Sequence, residues 1–185
     1  MFRNAKEEDA DQILPTLFQI FDEMELDIFK EIGNDKMAQV IREGFELPQY
    51  RYGLDHILVD EINGKVATIA VGYPEEQEDS IDDPLMKILH KYGIKQSIFT
   101  DKEAWPGEWY LDSFAVAEDM QGKGVGTKSL EELITIVRGR GEKTMSLNVD
   151  VKNEPAKHLY DKLGFKKVGQ LYIGDHLYDH MQLDL

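Results

Sequence analysis

Met120-Gln-Gly-Lys-Gly-Val-Gly-Thr-Lys-Ser129 sets glycines at 122, 124 and 126, between a strand pattern at Tyr110–Ala117 and a helical pattern at Lys128–Arg138. Glycines at alternate positions free the backbone to turn and leave a run of N–H groups able to converge on an anion. They do so at a helix N-terminus, where the dipole adds to the attraction. The stretch is a phosphate cradle in outline. A P-loop needs Gly-x-x-x-x-Gly-Lys-Ser/Thr, and Thr127 stands where the glycine before Lys128-Ser129 is required. A dinucleotide fingerprint needs a third glycine or alanine at Thr127 or Ser129, and more strand–helix units after the turn than the rest of the chain supplies. Neither reading survives.

Downstream the pattern alternates: strand Thr144–Val149, helix Glu154–Leu163 capped by Asn153 and stopped by Gly164, then strands Phe165–Ile173 and His176–Leu183 joined at Gly174-Asp175. Upstream, His56–Asp60 and Lys65–Val71 flank Asn63-Gly64, a hairpin signal. Phe2–Ala5 reads as a short edge strand. Asp9 and Gln12 stand in capping-box relation, and Ile13, Leu14, Leu17, Phe18, Phe21, Met24 and Ile28 form one helical face, with Pro15 expected to kink or delay it. A second helical pattern, with Met37, Val40, Ile41 and Phe45, follows Gly33 and ends before Pro48. From about 73 to 107 the composition shifts to Pro, Glu, Asp and Lys. Asp83-Pro84 supplies an N-cap and an N1 proline there, so this insertion carries its own short helix ending at Gly93.

The chain has 185 residues, which suits one domain spanning 1–185. Thirty-six acidic against 21 basic side chains give a formal charge of −15, which repels nucleic-acid phosphates and anionic membrane surfaces and attracts cationic small molecules. There is no cysteine, so thiolate catalysis, disulfides and zinc–thiolate sites are excluded, and no ligand spacing suggests another metal. The start has no apolar leader and the longest apolar-rich run, Val66–Tyr73, is far short of a bilayer span, so the expected location is the cytoplasm.

Gln121-Gly-Lys-Gly-Val-Gly126 resembles the Gln/Arg-x-x-Gly-x-Gly/Ala signature of the GNAT superfamily of acyl-CoA-dependent N-acetyltransferases. Phe114-Ala-Val-Ala117 is similar to that family's fourth strand. Asn153-Glu-Pro-Ala156 with Leu159-Tyr-Asp-Lys-Leu-Gly-Phe165 resembles its Asn-x-x-Ala-x-x-Leu-Tyr-x-x-x-Gly-Phe motif. The resemblance covers most of the chain except the insertion. It implies an α/β fold with a mixed, mostly antiparallel central sheet, splayed at its middle and flanked by helices, with the extra helical insertion before the fourth strand.

It also implies acetyl-CoA as co-substrate. Gln121, Gly122, Lys123, Gly124, Val125, Gly126, Thr127 and Lys128 would hold its diphosphate, while Phe114, Ala115, Val116, Asn153, Ala156 and Tyr160 would line its pantetheine and thioester, Val116 lending a backbone amide to the thioester carbonyl. Tyr160 would protonate the departing thiolate, a task suited to a phenol that keeps its proton at neutral pH. The free amine needs a base. Asp112, sharing a strand face with Tyr110 and Phe114, is the first candidate and Glu108 the second. Asp179 intrudes on the apolar face of the last strand, marking either the acceptor pocket or a bulge, whereas His176 and His180 read as surface residues. Trp105 in the insertion, with Glu23 and Asp27, is expected to shape the pocket.

The expected reaction is acetyl transfer to a primary amine, taken as a cationic small molecule, with no nucleic acid or membrane partner and a homodimer as an allowed assembly. Transfer to a protein N-terminus or lysine, a non-catalytic acyl-CoA sensor and a nucleotide-binding enzyme are the competing readings.

Overall fold

Two-residue alternation builds the sheet. In β2 (Ile57–Ile62) and β3 (Lys65–Pro74), Ile57, Val59, Ile69 and Val71 belong to one apolar cluster, and Leu58 and Ala70, one residue out of phase, to a second. Both faces are therefore covered. The computed structural model describes residues 1–25 and 27–185. Its strands form one seven-stranded sheet in the order β1-β2-β3-β4-β5-β7-β6. The remaining strands are β1 (Phe2–Asn4), β4 (Trp109–Val116), β5 (Thr144–Asp150), β6 (Lys166–Ile173) and β7 (His176–Asp184). Every neighbouring pair is antiparallel except β4 and β5. Asn63 (φ 53°) and Gly64 (φ 78°) turn the β2–β3 hairpin with positive φ at both central positions, as Asn-Gly predicts.

On one face lie α1 (Ala10–Glu23), α2 (Asp27–Ile32), α3 (Asn34–Gly44) and, from the insertion, α4 (Leu85–Lys91). Ile13, Leu17, Phe21, Met37, Ile41, Leu85 and Leu89 bury together there. On the other face α5 (Val125–Gly139) packs Leu130, Leu133, Ile134 and Val137 on Leu111, Met145 and Leu147, with Leu159 of α6 (Glu154–Lys162) beside them.

Four local expectations change. Asp9 does not cap α1 with its side chain; it accepts from the Lys6 amide (2.8 Å) and pairs with Arg3, while Gln12 accepts from the Val66 amide (3.0 Å) and ties the helix to β3. Pro15 sits inside an uninterrupted α1, because one missing N–H bond costs less than the burial of Ile13, Leu17 and Phe21 returns. The face expected to run on to Ile28 is broken at Glu25, whose φ of 51° ends the helix. Pro84, not Asp83, takes the cap position of α4, and Asp83 lies one residue before it.

Candidate active site

The parallel strands β4 and β5 pair only at Trp109↔Met145, Tyr110↔Ser146 and Leu111↔Leu147. Beyond Leu111 β4 runs on to Val116 beside β3, while β5 runs on to Asp150 beside β7, and the sheet opens between them. A cavity of about 550 Å³ fills the opening, roofed by Gln19, Ile20 and Glu23 of α1 and walled by α6. Phe114, Ala115, Val116, Gln121, Gly122, Gly126, Asn153, Ala156 and Tyr160 all line it. Lys123, Gly124, Val125, Thr127 and Lys128 stand around its mouth in the turn and first residues of α5, outside the lining itself.

Gly122 (φ 71°) and Gly124 (φ 75°) adopt left-handed conformations that only glycine takes cheaply. Gly126 is present for another reason: a Cβ there would stand 3.2 Å from Val116 Cγ2, so its absence lets α5 approach β4. The helix begins at Val125, three residues before the sequence pattern suggests, which brings its N-terminal amides nearer the cavity. Gln121 bridges the mouth, donating to the Val116 carbonyl (3.0 Å) and to Gln19 Oε1 (3.2 Å). Lys123 turns its ammonium to the Asp119 carbonyl (2.7 Å).

Asn153 caps α6, its side-chain oxygen accepting from the Ala156 amide at 3.2 Å. Tyr160 rests edge-on against Phe165, with ring centroids 5.8 Å apart, and no described residue hydrogen-bonds its hydroxyl. Burial, helped by the charge of Glu23, pushes its pKa up to about 12, so it holds its proton at neutral pH.

Neither carboxylate expected to act as base has a free oxygen. Asp112 borders the cavity, but Arg51 Nη1 and the Tyr73 hydroxyl (3.1 Å) engage one oxygen, and Ser113 (2.8 Å) and Tyr52 (3.3 Å) the other. Glu108 is turned away from the cavity. It takes His180 (3.0 Å), Gln182 and the Trp105 amide (3.0 Å); burial opposes its ionisation, but these donors outweigh burial and hold its pKa below the ordinary carboxylate value. Asp179 is likewise structural: Lys167 (2.6 Å), Gln170 (2.9 Å) and Lys157 (3.4 Å) surround it, it pairs with Gln170 next to the register shift in β6, and it does not border the cavity.

His180 is fully buried rather than on the surface, and stacks on Trp105 with ring centroids 4.2 Å apart. Trp105 therefore packs on β7 and over Gly169, where a Cβ would lie 2.4 Å from its ring, and leaves the cavity to other residues of the insertion. Glu23 does line the cavity; the side chain of Asp27 lies outside what is described.

The residue missed by sequence reasoning is Glu103, only 5% exposed. It borders the main cavity and also a second one of about 420 Å³, formed between the insertion and the β6–β7 turn. Glu78 accepts from the Glu103 amide (2.6 Å) and from that of Ala104, pinning the loop. Tyr110 donates its hydroxyl to Glu103 Oε2 (2.6 Å), while Asn148 donates to the Glu103 carbonyl and to the Tyr110 oxygen (both 3.1 Å), and its own oxygen lies 2.6 Å from His180 Nδ1. Burial, then the charge of Asp112, raise the Glu103 pKa to about 7 against the opposing influence of Arg51.

A sequence model of the acetyltransferase (GNAT) family matches residues 18–165. The chain belongs to that family. A GNAT member uses acetyl-CoA as co-substrate, in keeping with the cradle and the split sheet. A crystal structure described as an acetyltransferase is 40% identical, with a TM-score of 0.86 over 100% of this chain and 98% of that one. Among curated relatives, N-alpha-acetyltransferase 30 of Schizosaccharomyces pombe is 30% identical over 63 residues, 34% of this chain and 42% of that protein. L-amino acid N-acyltransferase MnaT of Escherichia coli is 37% identical over 59 residues, 32% of this chain and 34% of that protein. The chain spans less than half the length of either curated relative, and their names cover both protein and small-molecule acceptors. Among the described residues no helix is long and apolar enough to cross a membrane.

Proposed function

We propose that this GNAT member transfers acetyl from acetyl-CoA to the primary amine of a small molecule. The observation that carries the reading is the cleft between β4 and β5, which runs from the glycine turn at Gln121–Gly126 to the unpartnered hydroxyl of Tyr160. A glycine turn opening a helix fits a diphosphate, and a slot between two strands fits a slender amide-bearing arm. Bound acetyl-CoA supplies an acyl group activated as a thioester. The amides of Gly122 and Gly124, with Lys123 and Lys128 beside them, offset diphosphate charge that this acidic protein otherwise repels. Asn153 and Ala156 meet the pantetheine arm. Val116 offers its backbone N–H to the carbonyl oxygen as negative charge develops there. Tyr160 gives its proton to the leaving sulfur, the role a phenol with a raised pKa can fill at neutral pH.

The small-molecule acceptor is supported by the second cavity. Glu25, Asp101, Glu103 and Asp175 border it, and the Gly174 amide donates to Asp101 (2.8 Å), bridging the β6–β7 turn to the insertion. Four carboxylates against one lysine, Lys30, in a cavity of about 420 Å³ favour a compact cation there. Incubation with acetyl-CoA and a panel of polyamines, aminoglycosides, amino-acid amides and short peptides, followed by free-thiol release, tests both parts. Turnover with compact amines is expected. CoA binding with no turnover on any amine would make the protein a sensor, and preference for peptides would move the acceptor to a protein N-terminus or lysine.

A further inference from the structure

Resting on the acetyl-transfer reading above, we propose that Glu103 is the general base, taking a proton from an acceptor amine that arrives through the second cavity. Met24, Glu103, Ile173 and Tyr178 border both cavities, and Glu103 is the one carboxylate common to the two. An amine entering from the insertion side therefore meets it on the way to the thioester. The position is rigid: Glu78 fastens the loop, and Tyr110 fixes Oε2 while no described residue donates to Oε1. Asp112 and Glu108, by contrast, have both oxygens occupied by donors.

The groups facing Glu103 come from every element around it: Tyr110 and Asp112 on β4, Arg51 from the segment after α3, Tyr73 on β3, Glu78 after β3 and Tyr178 on β7. Five of these six are acids or phenols and one, Arg51, is a buried cation, so a proton on Glu103 is held until near neutral pH, where a base is of most use. In the step, an ammonium N–H bond breaks and its proton goes to Glu103. The nitrogen lone pair then forms a C–N bond to the acetyl carbon, the C–S bond breaks, and the sulfur takes the Tyr160 proton. The second proton shed by nitrogen restores Tyr160, and Glu103 passes its proton to solvent. One amide, one thiol and one proton result.

The test is the pH dependence of acetyl transfer from acetyl-CoA to spermidine, kanamycin, L-phenylalaninamide and hydroxylamine. Glu103 is a base only when deprotonated, so wild-type kcat/KM with an ammonium acceptor should fall as pH drops through about 7. Glu103→Gln should lose that limb and roughly 100-fold in kcat, bind CoA as wild type by titration calorimetry, and lose much less with hydroxylamine, already a free base. Glu103→Asp, which keeps a carboxylate one methylene shorter, should retain the limb at reduced kcat. A Glu103→Gln enzyme within twofold of wild type, or a Glu103→Asp enzyme without the limb, overturns the assignment. Absence of wild-type turnover on every acceptor overturns the acetyl-transfer reading itself, and Glu103 with it.

Discussion

Replacing Asp112 by Asn separates structural from catalytic carboxylates in one experiment. The substitution keeps volume but removes the charge that faces Arg51, and both side chains are 3% exposed. Breaking a buried ion pair from one side costs about 3–5 kcal/mol, because the remaining charge stays desolvated. Arg51 would keep Asp82, held at 2.8 and 3.1 Å, so the lower end, about 3 kcal/mol, applies. For a chain of this size each kcal/mol lowers Tm by roughly 2–4 °C, giving a fall of about 6–12 °C in a thermal melt followed by circular dichroism. A second effect has a defined sign. The Asp112 charge raises the Glu103 pKa and Arg51 lowers it, so neutralising Asp112 moves the acid limb of the rate profile to lower pH. Folded variant should therefore turn over, with activity extended towards acid. A melt within about 2 °C of wild type refutes the structural argument, and a folded variant dead at every pH returns Asp112 to the role of base.

Tyr160→Phe should bind CoA normally and release thiol about 100-fold more slowly, with little change in stability because no described residue bonds the hydroxyl; an unchanged rate removes its role as acid. Gly72→Ala would put a Cβ 2.2 Å from the Trp109 ring at the β3–β4 register shift, and should cost at least about 1–3 kcal/mol in urea unfolding, since Trp109 is 2% exposed and cannot retreat. Glu103→Gln should stabilise the protein above pH 7 and not near pH 4. Between 4.5 and about 7 the folded state holds a proton that the unfolded state has lost, so stability falls as pH rises; at about 1.4 kcal/mol per pH unit the variant gains at most roughly 3–4 kcal/mol. Parallel melting curves for the two proteins across that range would contradict it.

The fold was largely legible because its signals are local. Asn63-Gly64, the glycine turn and Asn153 with Gly164 each fix a backbone conformation within a few residues, and those conformations appear as expected. The acid–base chemistry was not legible, because it depends on partners distant in sequence. Asp112 looks like an isolated acid on an apolar strand until Arg51, 61 residues away, is placed against it. Glu103 lies in a polar insertion, and its burial follows from Glu78 and Tyr110, which no periodicity connects to it. In the sequence His180 reads as a surface residue on a terminal strand. β7 comes last in the chain but is not at the edge, because β6 folds outside it and encloses its side chains.

The parting of β4 and β5 after Leu111 also bears on how the protein avoids its own kind. A sheet that opens in its middle has two extra edges, and exposed edges invite strands from other molecules to add to them. Here α1 roofs the opening and α6 walls it, so the gap admits a thin chain from its mouth but no strand from a neighbouring protein. The fold thus keeps unpaired backbone in reserve where a ligand can reach it and aggregation cannot.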